Sequence, residues 1–201
     1  LIEYHLEYPD MDPTSMMADM MPDKMEMRFK DNTYISEVSA GFGMFRMAFV
    51  SKTKKKNVSQ MVKLLGDKYV AHFDEDLVDE NIKKMPQLTI TPTENHKEIA
   101  GYQCREAKVS FTDGSKEDFL VYYTEEIGLD KPNWFSQYSG INGVLLEYQI
   151  EMFSIWTRLS ATNIVQQEID DSKFEIPEDY KTISDKELEL KLNEIMENFL
   201  E

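Results

Sequence analysis

The chain has 201 residues, 38 acidic and 22 basic, for a net charge of −16 at neutral pH. That balance excludes a nucleic-acid ligand tracked by its phosphates, which needs clustered Lys and Arg, and anionic lipid surfaces should repel the chain. With 41% hydrophobic and 30% charged residues, the composition is that of a folded chain. It is expected to form a single domain over residues 1–201, with no apolar run long enough to span a bilayer as a helix.

In residues 1–8, Ile2, Tyr4, Leu6 and Tyr8 alternate with Glu3, His5 and Glu7, the period of a half-buried strand. The chain enters this pattern at its first residue, as the mature form of an exported protein would, and as a trimmed fragment would too. Pro9 and Pro13 break the strand. Met16, Met17, Met20 and Met21 follow at helical spacing, and Pro22 closes a short helix. Residues 25–30 and 34–38 predict two strands about Asp31-Asn32. Residues 42–51 predict another, with Phe45, Met47 and Phe49 on one face. The lysines of residues 52–57 repel one another and predict a solvated tip. Strands over 58–65 and 68–73 flank Gly66-Asp67. A short helix over 74–84 ends at Pro86.

The second half repeats the rhythm. Leu88 and Ile90 alternate before Pro92. Residues 99–112 read as one long strand bent at Gly101-Tyr102, with an apolar phase that changes partway. Tyr102 and Cys104 share one parity; Ala107, Val109 and Phe111 share the other. A bulge near Arg105-Glu106 reconciles them. Asp113-Gly114 marks a hairpin, and residues 118–124 run back. Residues 131–138 form an aromatic connection with Trp134, Phe135 and Tyr138. Strands follow over 144–150 and 152–161, with 164–169 extending the second, and residues 174–180 form an ordered terminal loop. Ser184 and Glu187 make a capping box for a helix over 184–201, whose apolar face carries Leu188, Leu192, Ile195, Met196, Phe199 and Leu200. The fold class expected is mainly β with few helices (α+β). Its sheet would be antiparallel and strongly curved, a half-barrel covered by short helices.

Chemistry-bearing patterns are scarce. The chain has no Gly-x-Ser-x-Gly elbow and no phosphate-cradling glycine loop. His5, His72 and His96 are isolated. Asp74/Asp76 and Asp170/Asp171 lack the spacing of a calcium loop. Cys104 is the single cysteine, so no intrachain disulfide forms, and a small buried strand residue is the expectation. These patterns call for no catalytic residue, no cofactor and no dedicated metal site.

The methionines stand out. Seven of the 13 fall between Met11 and Met27. Three roles compete: core filler, a pliable surface for an apolar ligand or partner, and soft thioether ligands for Cu(I), with Met16/Met20 and Met17/Met21 one helical turn apart. The residues expected to line a ligand site are Met16, Met17, Met20, Met21, Trp134, Phe135 and Trp156.

Four segments carry a resemblance. Ile99-Ala100-Gly101-Tyr102-Gln103-Cys104-Arg105-Glu106-Ala107 resembles the I-x-G-Y-x-C-x-x-A signature of a group of Bacteroidetes envelope proteins related to the GLPGLI family. Val121-Tyr122-Tyr123-Thr124-Glu125-Glu126-Ile127 is similar to its W-Y-T-x-x-I strand. Ser139-Gly140-Ile141-Asn142-Gly143-Val144-Leu145-Leu146-Glu147 resembles its GLPGLI segment, and Phe174-Glu175-Ile176-Pro177-Glu178-Asp179-Tyr180 its closing F-x-I-P-x-x-Y. Ile141-Asn142 stands where that family has Leu-Pro, and Val144-Leu145 where it has Leu-Ile, which puts the chain in a sister branch. The resemblance implies an exported, periplasmic or outer-membrane-associated protein, often lipid-anchored. It also implies a bent sheet like that of the outer-membrane lipoprotein carriers (LolA-like). It carries no catalytic residues. The function expected is a non-enzymatic envelope protein that binds a lipid, another apolar ligand or a lipoprotein on the concave face of its sheet. The alternatives are an envelope protein–protein interaction module and a methionine-rich copper(I)-binding protein.

Overall fold

A computed structural model describes residues 1–152 and 155–200, and the side chains of all of these except Met16, Phe42 and residues 195–200. In chain order the elements are β1 (Ile2–Glu7), α1 (Met16–Met20), β2 (Lys24–Lys30), β3 (Thr33–Ala40), β4 (Phe45–Lys52), β5 (Asn57–Leu64) and β6 (Asp67–Phe73). These are followed by α2 (Glu75–Lys84), β7 (Leu88–Ile99), β8 (Tyr102–Phe111), β9 (Phe119–Thr124), β10 (Val144–Met152), β11 (Ile155–Ile164), β12 (Lys181–Thr182) and α3 (Asp185–Leu200).

Among the described residues, 12 strands form one open sheet in the order β12-β6-β5-β4-β3-β2-β1-β11-β10-β9-β8-β7. Every pairing is antiparallel except that of β12, which lies parallel to β6. The mainly-β expectation with few helices therefore holds. Two meanders, β2–β6 and β7–β11, meet at β1, which pairs with β2 on one side and β11 on the other. The N-terminal strand is thus central, and its inward residues Ile2, Tyr4 and Leu6 are buried, as their alternation predicts.

Local chemistry sets the turns. Asp31 takes φ 54° in the two-residue link between β2 and β3, a left-handed conformation that Asp tolerates better than most residues. Ala100 (φ 49°) and Gly101 (φ 85°) form the β7–β8 hairpin. The segment read as one long strand therefore reverses at Ala100-Gly101 rather than bending at Gly101-Tyr102. Two positive φ values in succession make a primed turn, whose twist matches the flanking strands. The predicted bulge lies opposite Glu106. The β7–β8 register jumps between Pro92 and His96, which pair with Ala107 and Arg105. Strand β11 ends at Ile164, short of the predicted extension to 169.

The sheet has two distinct faces. The front face carries Tyr4, Met25, Met27, Tyr34, Val38, Met47, Val62, Ala71, Leu146 and Leu159 in one apolar cluster, with Leu188 of α3 packed among them. On the back face of β3–β6, Ile35, Ala48, Val50, Met61 and Val70 form a second cluster under Phe174. In β3, β4, β5 and β6, adjacent residues therefore bury apolar side chains on opposite faces. The front-face stripe of α3 is seen at Leu188 and Leu192; its predicted continuation through Ile195, Met196, Phe199 and Leu200 lies outside the described side chains.

Candidate functional site

Residues 125–143 leave β9 and pack against the front face before β10 begins. Asn133 Nδ2 ties this loop together by donating to the carbonyls of Ile141 and Gly143, both at 2.9 Å. Gly143 is where backbone and ring approach closely: a Cβ there would sit 2.8 Å from Tyr123 Cδ2 and 2.9 Å from the Thr124 carbonyl. The loop is pinned to the sheet through its aromatic residues. Trp134 is buried, its Nε1 donates to Ser51 Oγ at 3.0 Å, and the Lys56 ammonium lies 4.7 Å from its ring centroid. Phe135 stacks on Tyr34 at 5.9 Å and lies 6.4 Å from Phe49. The Tyr34 hydroxyl donates to the Pro132 carbonyl and the Tyr138 hydroxyl to that of Gln149. Nearer the middle of the sheet, the Tyr4 hydroxyl donates to the Leu145 carbonyl at 2.8 Å. Burial pushes the phenols of Tyr4, Tyr34, Tyr138 and Tyr148 far above their ordinary range, so all four stay neutral.

The predicted ligand-lining residues do not form one site. Trp134 and Phe135 touch, with centroids 5.8 Å apart. Trp156 belongs to a separate aromatic group, 5.6 Å from Phe111 and 5.7 Å from Phe119, with the Lys116 ammonium 4.2 Å from its centroid and its Nε1 donating to Gln149 Oε1 at 2.5 Å. The methionine helix forms as expected, with Ser15 Oγ capping it by accepting from the Ala18 amide at 3.1 Å. Its described side chains, Met17, Met20 and Met21, join none of the described apolar clusters, and Met20 is 42% exposed. Of the short helices expected to cover the sheet, α1 therefore adds no described side chain to its apolar clusters. Loop 125–143 and α3 supply the described cover, because a five-residue helix offers too little apolar face. Met21 is the C-cap, with extended backbone (φ −72°, ψ 150°). Of the two thioether pairs considered for copper, only Met16/Met20 lies wholly within the helix, and the Met16 side chain is outside those described. Met25 and Met27, by contrast, are core residues on β2.

The sequence reading singled out no polar site, and the structure contains one. Glu106 on β8 is 6% exposed and accepts from Thr93 Oγ1 at 2.8 Å, Asn95 Nδ2 at 2.9 Å and the Tyr122 hydroxyl at 2.8 Å. These donors, Asn95 foremost, hold its carboxyl below the usual range. Burial, reinforced by Glu106, pushes Tyr122 up to about 12. Lys97 lies 4.8 Å from the Tyr122 ring centroid and pairs with Glu147 at 2.6 Å. Thr93 and Asn95 belong to the residues of β7 left out of register, and their side-chain bonds to a carboxylate tie the bulge to β8 where the backbone ladder is interrupted. The only signal in the sequence was the change of apolar phase at 105–106.

Cys104 is fully buried, and burial pushes its thiol up to about 11, which makes it inert. Beside the end of β2, an open groove of about 620 Å³ is lined by Phe29, Lys30, Gln167, Glu168, Ile169 and Asp170. Among the described residues, no group of three or more His, Cys, Asp or Glu side chains is arranged to hold a metal. No described helix is long and apolar enough to cross a membrane.

These features define a broad, open, mostly antiparallel sheet covered on one face by an aromatic loop and a terminal helix. No family model matches the chain, and no curated protein matches it. Among solved structures it is similar to PNGF-II in two crystal forms. The structure in space group P21 superposes with a TM-score of 0.60 at 15% identity over 95% of this chain. That in C2 superposes with a TM-score of 0.57 at 13% identity over 98%. In both, the match takes in 32% of PNGF-II, so this chain spans about a third of that protein's length. At this identity the likeness is one of fold.

Proposed function

We propose that the chain is a non-enzymatic, exported binding module of the cell envelope whose front face receives a lipid chain or a similar apolar ligand. In this reading the sheet curls into a half-barrel around that face. Two features support the curl: the Tyr4 hydroxyl of β1 reaches past β11 to the Leu145 carbonyl of β10, and one apolar cluster runs from Phe45 and Val62 to Ile99 and Cys104. The observation that carries the reading is the nature of the cover. Apolar strand residues on the front face are shielded by a loop and a helix outside the ladder, which can move without breaking strand pairing. Displacing α3 would uncover Val62, Tyr69 and Ala71, a surface that favours an acyl chain at roughly 25 cal/mol per Å² of apolar contact. The GLPGLI resemblance supports export and an envelope location.

The test is solvent extraction of the purified protein followed by mass spectrometry, with titration by a fluorescent fatty acid. A stoichiometric co-purified lipid, or saturable uptake lost when α3 is cross-linked to β6, supports the proposal. Absence of both retained lipid and uptake sinks it.

A further inference from the structure

Residues 165–200 hold one end of the sheet from both sides. On the back face, Phe174 is buried among Ile35, Ala48, Val50, Met61 and Val70, flanked by Ile169, Ile176 and Tyr180. Lys30 pairs with Asp171 at 2.7 Å, and Lys68 pairs with Asp179 while lying 5.9 Å from the Tyr180 ring centroid. The chain then passes the edge of the sheet. Lys181 and Thr182 pair with Tyr69 and Val70, and the Ile183 amide donates to the Val70 carbonyl at 2.9 Å. On the front face, Ser184 and Glu187 cap α3 reciprocally, Leu188 is buried, and the Lys191 ammonium sits 4.5 Å from the Tyr69 ring centroid.

We infer that this segment is a two-sided clasp, in which the back-face strap 165–180 and the front-face helix α3 open and close as one unit. Residues 181–183 alone connect the last strap anchor, Tyr180, to the cap of α3 at Ser184. At no more than about 3.5 Å per residue, this short connection gives the two parts little freedom to move apart. All three are held by β6 itself: Val70 touches the strap with its side chain and holds the connection with its backbone, while its neighbours Tyr69 and Ala71 pack with the helix side. Release of the strap frees the edge connection and removes the N-terminal anchor of α3. Loss of α3 pulls on the same three residues. Strap opening would in this way control access to the front face.

Hydrogen exchange read by mass spectrometry tests the coupling without any ligand, so its result is independent of the lipid proposal. Phe174→Ala, with Phe174→Leu as the milder variant should the first not fold, removes the back-face anchor. Amide uptake in both 165–180 and 185–194 should rise by about tenfold or more and by matching factors. Leu188→Ala, made on the opposite face, should give the same pair of changes. The clasp is overturned if α3 keeps its original uptake while the strap loses protection, if Leu188→Ala leaves the strap unchanged, or if amides of β8–β10 exchange as fast as the clasp.

Discussion

The two ends of the sheet solve the same burial problem differently. At the β3–β6 end both faces are apolar. Tyr34 and Ile35, Met47 and Ala48, Met61 and Val62, and Val70 and Ala71 each send adjacent side chains to opposite cores. That end needs a cover on each side: segment 165–200 reaches both, and loop 125–143 shares the front cover. Along residues 106–111 of β8, at the other end of the sheet, only one face is apolar. Ala107, Val109 and Phe111 point inward and alternate with Lys108 and Ser110. The other face is polar, with Glu106 holding Thr93, Asn95 and Tyr122, and exposed pairs such as Lys108–Asp118 at 2.6 Å. An end covered on both faces depends on packing, whereas a one-sided end depends on alternation and satisfied hydrogen bonds.

The largest effect should come from the front-face core shared by both ends. Leu159→Ala, at a fully buried position on β11, should cost about 2–5 kcal/mol in chemical denaturation. A loss under 1 kcal/mol would mean that the front face is not the common core. Gly143→Ala should cost about 1–3 kcal/mol, because the new methyl meets the Thr124 backbone and the Tyr123 ring.

The polar end should respond to pH through Glu106. The folded-state value of Glu106 is depressed from its ordinary 4.5. Its contribution is therefore complete above about pH 4.5 and is lost as pH falls through the lower folded value. Thermal melts of Glu106→Gln should thus lie below wild type by a constant margin from pH 8 to about 5, and the two should converge below that. A margin independent of pH would show that the bulge is held by packing rather than by the carboxylate. Smallest of all, Lys30→Ala breaks an exposed pair with Asp171 and should leave the midpoint within the scatter of repeated melts, since side-chain entropy and screening offset such pairs.

Most strands were legible because period-two alternation records one-sided burial directly, as in Ile2, Tyr4 and Leu6. The bulge was legible as a change of phase. The hairpin at Ala100-Gly101 was hidden inside what looked like one strand, because neither residue breaks the apolar pattern. The candidate site was far less legible. Trp134 and Phe135 were recognised as aromatic, yet their partners Ser51, Tyr34 and Phe49 lie far along the chain. Trp156 and the methionines of α1 resembled site residues by type and spacing, yet Trp156 packs with Phe111 and Phe119, and Met17, Met20 and Met21 share no described cluster with Trp134 and Phe135. Phe174 lay in what read as a terminal loop, with no periodicity to mark it as an anchor.

The amino-acid order alone therefore determined that the chain is acidic, mainly β, capped by a terminal helix and cross-linked by no internal disulfide. Those properties depend on composition and on neighbours a few residues apart. Only the tertiary structure decided that β1 joins two meanders, that loop 125–143 lies on the front face, and that Glu106 is fully partnered. Each of these depends on which distant segments meet, a choice made by the burial of whole faces and not by any local pattern.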